Sequence, residues 1–502
     1  MSNSKLLLSD MSGIRGISVR YLSAYAKSQG VETELLFPLI LGRGFEDLPR
    51  LKVEQQQAVL DFLRTHGVTH FGCYLMTGHL RAFKELVEFI RSRGWQGCII
   101  AGGVHPTVCC EESLMDGVDY VVMGPGEKSL VDIVNGMGLS RISGLVYREN
   151  GRIKINQVAE DAYVDLNLLP FPDYDFKTHY VIRNKGIELL TIKVYRELET
   201  WKGIYYFLTT TRGCPYHCSY CVNLNRKHLQ RASIDRVIEE LHSAKKRMPF
   251  IKGCNIQDDS FFIGSDEWIN EFCRRFKKEF NWPFIARVMP RFATDKRLRM
   301  MKESGLKYVS VGLQGSERMN REIYDRHETN KSFVDACHIM NKLGIHYVVD
   351  VILDNAYEAE EDLKEIARVL NSIPRPFKVL AYGMTPFPGT SFYQRVVRDG
   401  LLERFAADAY ESMFTPTRPG AYETPTYWRL LISKVIPLYR NKVVNQLIES
   451  GPNNERAVHQ LESICKNAER KIVLAEGLRR VWPEGFGFGL SFYKALMRWW
   501  TH

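Results

Sequence analysis

The stretch Thr209–Asn223 reads TTTRGCPYHCSYCVN and places three of the chain's 11 cysteines within one short loop. Cys214, Cys218 and Cys221 are separated by three and then two residues. They follow IYYFLTTT, a run rich in aromatic and β-branched residues that predicts a strand. The thiols therefore leave a strand end together, and a metal centre is the leading reading. Zinc would want a fourth ligand. His217 and His228 are near, but no fourth Cys or His stands at a good zinc spacing. An iron–sulfur cluster held by three cysteines instead keeps one iron open to bind something else.

Working outward, a strand–helix rhythm continues past the cysteines. SIDRVIEELHSAKKR reads as a helix, and IKGCNIQD, FIARVM, YVSVGLQ, HYVVDVIL and FKVLAYGM read as strands separated by helical stretches. With the strand before the cysteines this makes six βα units between Ile204 and Met384. Six units predict a partial or open form of the eightfold barrel, with chemistry at the strand C-termini. Upstream, KLLLSD, VTHFGCYL, GCIIAGG and VDYVVMGPGE read as strands alternating with amphipathic helices, which predicts a doubly wound parallel sheet. Ligands on such sheets sit outside the strand C-termini, where glycine-bearing loops recur at Gly13 and Gly16, at Gly102 and Gly103, and at Gly124 and Gly126. Between the two patterns, SGLVYRENGRIKI predicts a hairpin turning at Asn150–Gly151, and LNLLPFPDYDF reads as a proline-bearing linker. The expected division is 1–140 for the first α/β domain, 141–200 for a linker, 201–400 for the partial barrel and 401–502 for a helical C-terminal segment.

Composition bounds the rest. Of 502 residues 45% are apolar and 12% aromatic, enough for ordinary packed cores. Lys plus Arg outnumber Asp plus Glu 68 to 58, a mild excess of +10 that suits an anionic cofactor, an acidic substrate or RNA without selecting one. No apolar run reaches the roughly eighteen residues of a membrane span, and the first residues lack the pattern of a signal peptide. The odd, irregularly spaced cysteines do not form a secreted disulfide framework, so a reducing cytoplasm is the expected location.

RGCPYHCSYC, directly after the first barrel strand, resembles the cluster loop of the radical S-adenosylmethionine (SAM) enzymes, whose motif is CxxxCxxC. The resemblance implies a [4Fe–4S] cluster on Cys214, Cys218 and Cys221 with SAM chelating the open iron, and it covers about Ile204 to Phe392. Tyr220 matches the aromatic residue usual before the third cysteine. Asp258 and Asp259 in IQDDSF, Arg287 in IARVMP, and Gln314 and Ser316 in VGLQGSE stand at strand ends where the resemblance implies contact with SAM. TPFPGTSFY resembles the end of that family's barrel.

The first domain resembles the cobalamin-binding domain that precedes the barrel in one large radical SAM subgroup. The matching stretches are YLMTGH (with Leu75, Met76, Thr77 and Gly78), AGGVHPTV (with Gly102, Gly103, Val104 and His105) and GPGE (Gly124, Gly126 and Glu127). Glycines there would let backbone approach a bulky corrin. Many such domains carry an Asp-x-His-x-x-Gly loop whose His binds cobalt from below. Here the loop is DMSGIRG, with Ser12 and Gly13 where that pattern would run, so no histidine ligation is expected. Leu75 and Met76 are then the residues expected to face the lower side, by packing rather than bonding. His105 is expected at the corrin periphery or tail.

What the resemblance implies is a cobalamin-dependent radical SAM methyltransferase. Through a 5′-deoxyadenosyl radical and methylcobalamin, such an enzyme methylates an unactivated carbon. The substrate class stays open among small molecules, natural-product intermediates, lipids and peptides. A reducing partner such as flavodoxin or ferredoxin is implied. Three rivals stand beside it: a non-methylating relative that cyclises or rearranges, as in tetrapyrrole ring formation; a methylthiotransferase; and an electron carrier. A methylthiotransferase would need a second three-cysteine cluster, which Cys73, Cys98, Cys109 and Cys110 do not resemble, and an RNA-binding barrel at the end that is not evident. Nucleic acid is therefore not an expected partner.

Overall fold

A computed structural model describes residues 4–38, 50–222, 228–259, 261–405, 409–410, 426–439 and 442–466. Apolar runs such as Leu6–Leu8 are buried on both strand faces, as a sheet sandwiched between helix layers requires. The first sheet holds β1 (Lys5–Asp10), β2 (Glu32–Phe37), β3 (His70–Tyr74), β4 (Cys98–Gly102) and β5 (Tyr120–Val122). It continues with β6 (Leu145–Glu149), β7 (Arg152–Ile155), β8 (His179–Arg183) and β9 (Gly186–Leu189). The order is β7-β6-β5-β4-β3-β1-β2-β8-β9. From β5 through β8 the strands are parallel, and β6, β7 and β9 add antiparallel edges.

Two features depart from the sequence expectation. The sequence pattern does not predict β2, because ETELLF opens with three polar residues and shows no strand-like alternation. The stretch 141–200, expected as a linker, instead supplies both edges of the sheet. The hairpin forms as β6–β7, while Leu35 pairs with His179 across the chain. That second pairing joins segments more than a hundred residues apart and leaves no local signature.

The second sheet holds β10 (Tyr205–Leu208), β13 (Gly253–Ile256), β14 (Phe284–Val288), β15 (Leu306–Gln314), β16 (His346–Leu353) and β17 (Lys378–Gly383), paired in that order and all parallel. A small ladder, β11 (Thr211–Arg212) with β12 (Gln230–Arg231), flanks the cysteine loop. This is the expected six-stranded partial barrel. Val309, Val311, Tyr347, Val349 and Val351 point outward into the helix layer and are buried. The alternate residues Tyr308, Ser310, Val348 and Asp350 line a half-exposed lumen. Ser or Thr hydroxyls at Ser233, Ser265, Thr294, Thr329 and Thr390 cap the following barrel helices by accepting a backbone N–H three residues on.

Helices Thr426–Leu430 and Lys442–Ser450 close over the barrel through the fully buried Trp428 and an Arg429–Asp354 ion pair of 2.8 Å. A further helical run covers 455–466. The rest of the expected helical segment, including FYKALMRWW, lies outside the described residues. Among the described residues no helix is long and apolar enough to cross a membrane.

Candidate active site

The cysteine loop is clamped from three sides. Ser219 donates its N–H to the Tyr324 carbonyl (2.8 Å) and its hydroxyl to the Ile323 carbonyl (2.6 Å). The Phe392 N–H closes on the Ser219 carbonyl (3.0 Å). Tyr220 meets Tyr324 edge to face at 5.2 Å. Cys218 is buried, and Cys214 and Cys221 are half-buried. The buried Arg326 guanidinium stands beside Cys218 and Tyr220 and donates to the Gly312 carbonyl.

At the base of the loop, buried Asp258 accepts the N–H of Thr210 (2.6 Å), the N–H of Thr211 (3.0 Å) and the Thr210 hydroxyl. Burial raises its carboxyl, while those hydrogen bonds and Arg231 oppose the shift. Ser316 is likewise committed inside the fold, donating to Asp362 (2.6 Å) and accepting the Met319 N–H (3.1 Å). These two therefore support loops and do not offer side chains to a ligand. Their polar character made them candidates, and the same character is consumed by backbone.

Asp259 and Arg287 are solvent-accessible at the strand ends, close enough that the guanidinium opposes the rise that partial desolvation imposes on the Asp259 carboxyl. Arg287 acts in the same way on Asp350, whose carboxyl is raised by burial and accepts the Ser310 hydroxyl at 2.5 Å. Tyr382 joins the group, pushed up to about 12 by burial and by Asp350. Gln314 ends β15 at a register shift, with φ +67 in the left-handed region. Sequence reading missed Asp350, Ser310, Arg326 and Tyr382. An aspartate inside the apolar strand HYVVDVIL was a readable signal; Arg326 had none.

On the first sheet, Asp10, Tyr74, Gly102 and Val122 lie level in register, so the loops that follow them share one edge. Ser12, Met76, Gly102, Gly103, Val104, Gly124 and Gly126 reach that edge, half exposed. Gly13, Leu75, Thr77, Gly78, His105 and Glu127 are buried behind it. Leu75 packs into the core, so of the Leu75–Met76 pair only Met76 is placed to face a ligand. His105 is buried, with Nδ1 paired to the Thr77 hydroxyl at 3.2 Å and Nε2 facing Glu112 at 3.5 Å. Asp10 folds its own loop by accepting the Ser12 N–H (2.8 Å) and hydroxyl, and burial pushes its carboxyl up to about 6. A Cβ at Gly102 would meet nothing nearer than 3.9 Å, which leaves an open notch on the edge. Gly103 has φ +107, and a Cβ there would stand 2.9 Å from the Leu75 carbonyl oxygen.

The two sites are tied together. Arg212, two residues before Cys214, donates to Glu127 of the GPGE loop at 2.7 Å and lies over the Tyr21 ring. The barrel loop at Gly389 packs against Val108, just beyond the glycine edge.

A six-stranded parallel barrel opened by a three-cysteine loop, behind a parallel sheet with a glycine edge, defines a class. Residues 208–370 match the Radical SAM superfamily, and residues 14–134 match the B12 binding domain. The chain belongs to the radical SAM enzymes that carry a cobalamin-binding domain ahead of the barrel. Its cofactors are a [4Fe–4S] cluster, SAM and cobalamin.

Among its relatives is the anaerobic magnesium-protoporphyrin IX monomethyl ester cyclase of Rubrivivax gelatinosus. The two are 20% identical over 93% of this chain and 79% of the cyclase. Another is the bacteriochlorophyllide d C-8(2)-methyltransferase of Chlorobaculum tepidum, 21% identical over 77% of this chain and 80% of that protein. The fold matches OxsB, a cobalamin-dependent SAM radical enzyme, at a TM-score of 0.66 and 16% identity. That match covers 99% of this chain and 75% of OxsB. It also matches the methyltransferase TsrM of Kitasatospora setae at 0.63 and 15% identity, over 79% of this chain and 76% of TsrM.

The residues present fit these groups. The clamped loop supplies three soft sulfur donors and no fourth, as an open-iron cluster needs. Near it the Thr211 and Thr385 hydroxyls are buried without hydrogen-bond partners among the described residues, donors ready for a polar ligand at the strand ends. The Gly102 notch gives a flat corrin room against backbone.

Proposed function

We propose that the chain methylates an unactivated carbon of a substrate held between the glycine edge and the barrel lumen. The observation carrying this reading is the Arg212–Glu127 ion pair. It ties the strap before the cluster cysteines to the loop bordering the corrin notch, so that one cleft serves both chemistries. When bound, the cofactors supply a radical that removes hydrogen and the methyl group that replaces it. The chain's own part is placement. Cys214, Cys218 and Cys221 hold the cluster, and Asp258 and Ser219 fix their loop. Arg287 and Asp259 are offered to the carboxylate and amino groups of SAM, with Gln314 and Tyr220 flanking. Ser12, Met76, Gly102, Gly103, Val104, Gly124 and Gly126 form the corrin floor. Electrons would come from a small reduced carrier of the flavodoxin or ferredoxin kind.

Relatives named as methyltransferases support methylation. A second reading, oxidative cyclisation on the same cofactors, is favoured by the relative named as a cyclase that spans nearly the whole chain. One experiment separates them. The anaerobically reconstituted enzyme is incubated with trideuteromethyl-SAM and a reductant, and S-adenosylhomocysteine and 5′-deoxyadenosine are quantified. Methylation requires both products, and Cys218→Ala abolishes 5′-deoxyadenosine. 5′-Deoxyadenosine without S-adenosylhomocysteine would replace methyl transfer with cyclisation or rearrangement.

A further inference from the structure

A second set of metal-ligating side chains lies away from the cluster cysteines, where the first domain meets the barrel. Two short helices, Val104–Val108 and Cys110–Ser113, follow the glycine edge. His105 and Cys109 stand one helical turn apart, joined by the Cys109 N–H to the His105 carbonyl at 2.8 Å. Glu112 follows on the next turn. One ligand atom from each of His105, Cys109 and Glu112 lies within 4.8 Å of the others.

The imidazole is already oriented for a ligand's role. His105 is fully buried, and its Nδ1 pairs with the Thr77 hydroxyl at 3.2 Å. An outer partner of this kind holds the ring of a metal-bound histidine in place. Nε2 is buried, has no hydrogen-bond partner among the described residues, and points at Glu112 Oε2 from 3.5 Å. From the C-terminal segment, Tyr410 donates to Glu112 Oε2 at 2.9 Å and sets its ring edge against His105.

We propose that His105 Nε2, Cys109 Sγ and a Glu112 carboxylate oxygen form a zinc site, completed by a water or by the Tyr410 hydroxyl. A mixed nitrogen, sulfur and carboxylate set within this span suits tetrahedral Zn²⁺. The site fastens the helix after Gly102–Gly103 to the C-terminal segment. Val108, on the same helix, meets the barrel at Gly389, so the zinc stiffens the wall of the corrin notch and the seam beside it.

The test uses the full-length, cluster-reconstituted protein. It is incubated with one equivalent of zinc chloride, desalted, and analysed for zinc and iron, then by zinc K-edge absorption fine structure. The expected result is about one zinc per chain, with one sulfur near 2.3 Å and three nitrogen or oxygen neighbours at roughly 2.0–2.2 Å. Cys109→Ala is expected to weaken zinc retention in a chelator competition about tenfold or more while leaving iron content unchanged. Should Cys109→Ala fold poorly, Glu112→Gln makes the same test at a carboxylate that is 45% exposed. Three sulfur neighbours would assign the zinc to the cluster cysteines and overturn the proposal. So would undiminished retention by the folded variants, or no retained zinc in the wild-type protein.

Discussion

Replacing Asp258 with alanine tests how the cysteine loop is held. The carboxylate accepts two backbone N–H groups, from Thr210 and Thr211, and the Thr210 hydroxyl, all buried. Alanine leaves the two amides without an acceptor. Each orphaned buried donor costs about 1–3 kcal/mol, so the floor is about 2 kcal/mol. Relief from burying the carboxylate offsets part of the upper range, since burial alone raises Asp258. The Thr210–Thr211 turn leads directly into Arg212, Gly213 and Cys214, so the cost falls on the closed state of the cluster loop. At about 1.4 kcal/mol per tenfold, a 2 kcal/mol penalty makes loop opening roughly 30-fold more frequent. The assay is release of iron from the reconstituted protein to a strong chelator under anaerobic conditions. Asp258→Ala is expected to release iron roughly 30-fold faster. Asp258→Asn keeps one oxygen acceptor and is expected to fall between it and the wild-type chain. Wild-type release from Asp258→Ala, with the far-UV spectrum unchanged, would refute the claim that this carboxylate holds the loop.

Gly103→Ala places a Cβ 2.9 Å from the Leu75 carbonyl at φ +107, where strain costs about 1–3 kcal/mol. Cobalamin retained per chain after gel filtration should fall while iron stays constant; equal corrin content would remove Gly103 from the notch. Arg287→Leu is expected to weaken SAM binding to the holoenzyme by about 10- to 100-fold in equilibrium dialysis, the worth of a charge-assisted hydrogen bond. An unchanged affinity would place the SAM carboxylate elsewhere.

A pH effect is expected at the seam between the domains. Tyr21 of the first domain and Tyr206 of the barrel both donate to Glu240, whose carboxyl burial pushes up to about 7 from an ordinary 4.5. Between those values the folded chain holds more protons than the unfolded one. Stability therefore falls as pH rises through that window, by on the order of 3 kcal/mol in all, and levels off above it. Urea midpoints of wild type and Glu240→Gln from pH 5 to 8 check this, and identical slopes would count against it.

Much of this protein is written in local pattern. The CxxxCxxC spacing after a strand needs only a dozen residues to declare soft ligands on a strand-end loop. The βα rhythm from Ile204 to Met384 follows from side-chain periodicity, which a strand or helix imposes on its own sequence. The glycine pairs at strand ends likewise mark where backbone must stay uncovered. Tertiary structure decided what such pattern cannot carry. His179 pairs with Leu35 and turns an expected linker into sheet, because strand pairing depends on partners far away in the chain. Asp258 and Ser316 look like ligands in sequence but are consumed by neighbouring backbone and side chains, since a polar side chain's role depends on who reaches it first. The charge of Arg326 reaches Asp350, and Arg212 meets Glu127 across the seam, only because folding closes separations of 24 and 85 residues. Chemistry was legible where one loop holds all the donors, and it needed the fold wherever the donors come from different strands.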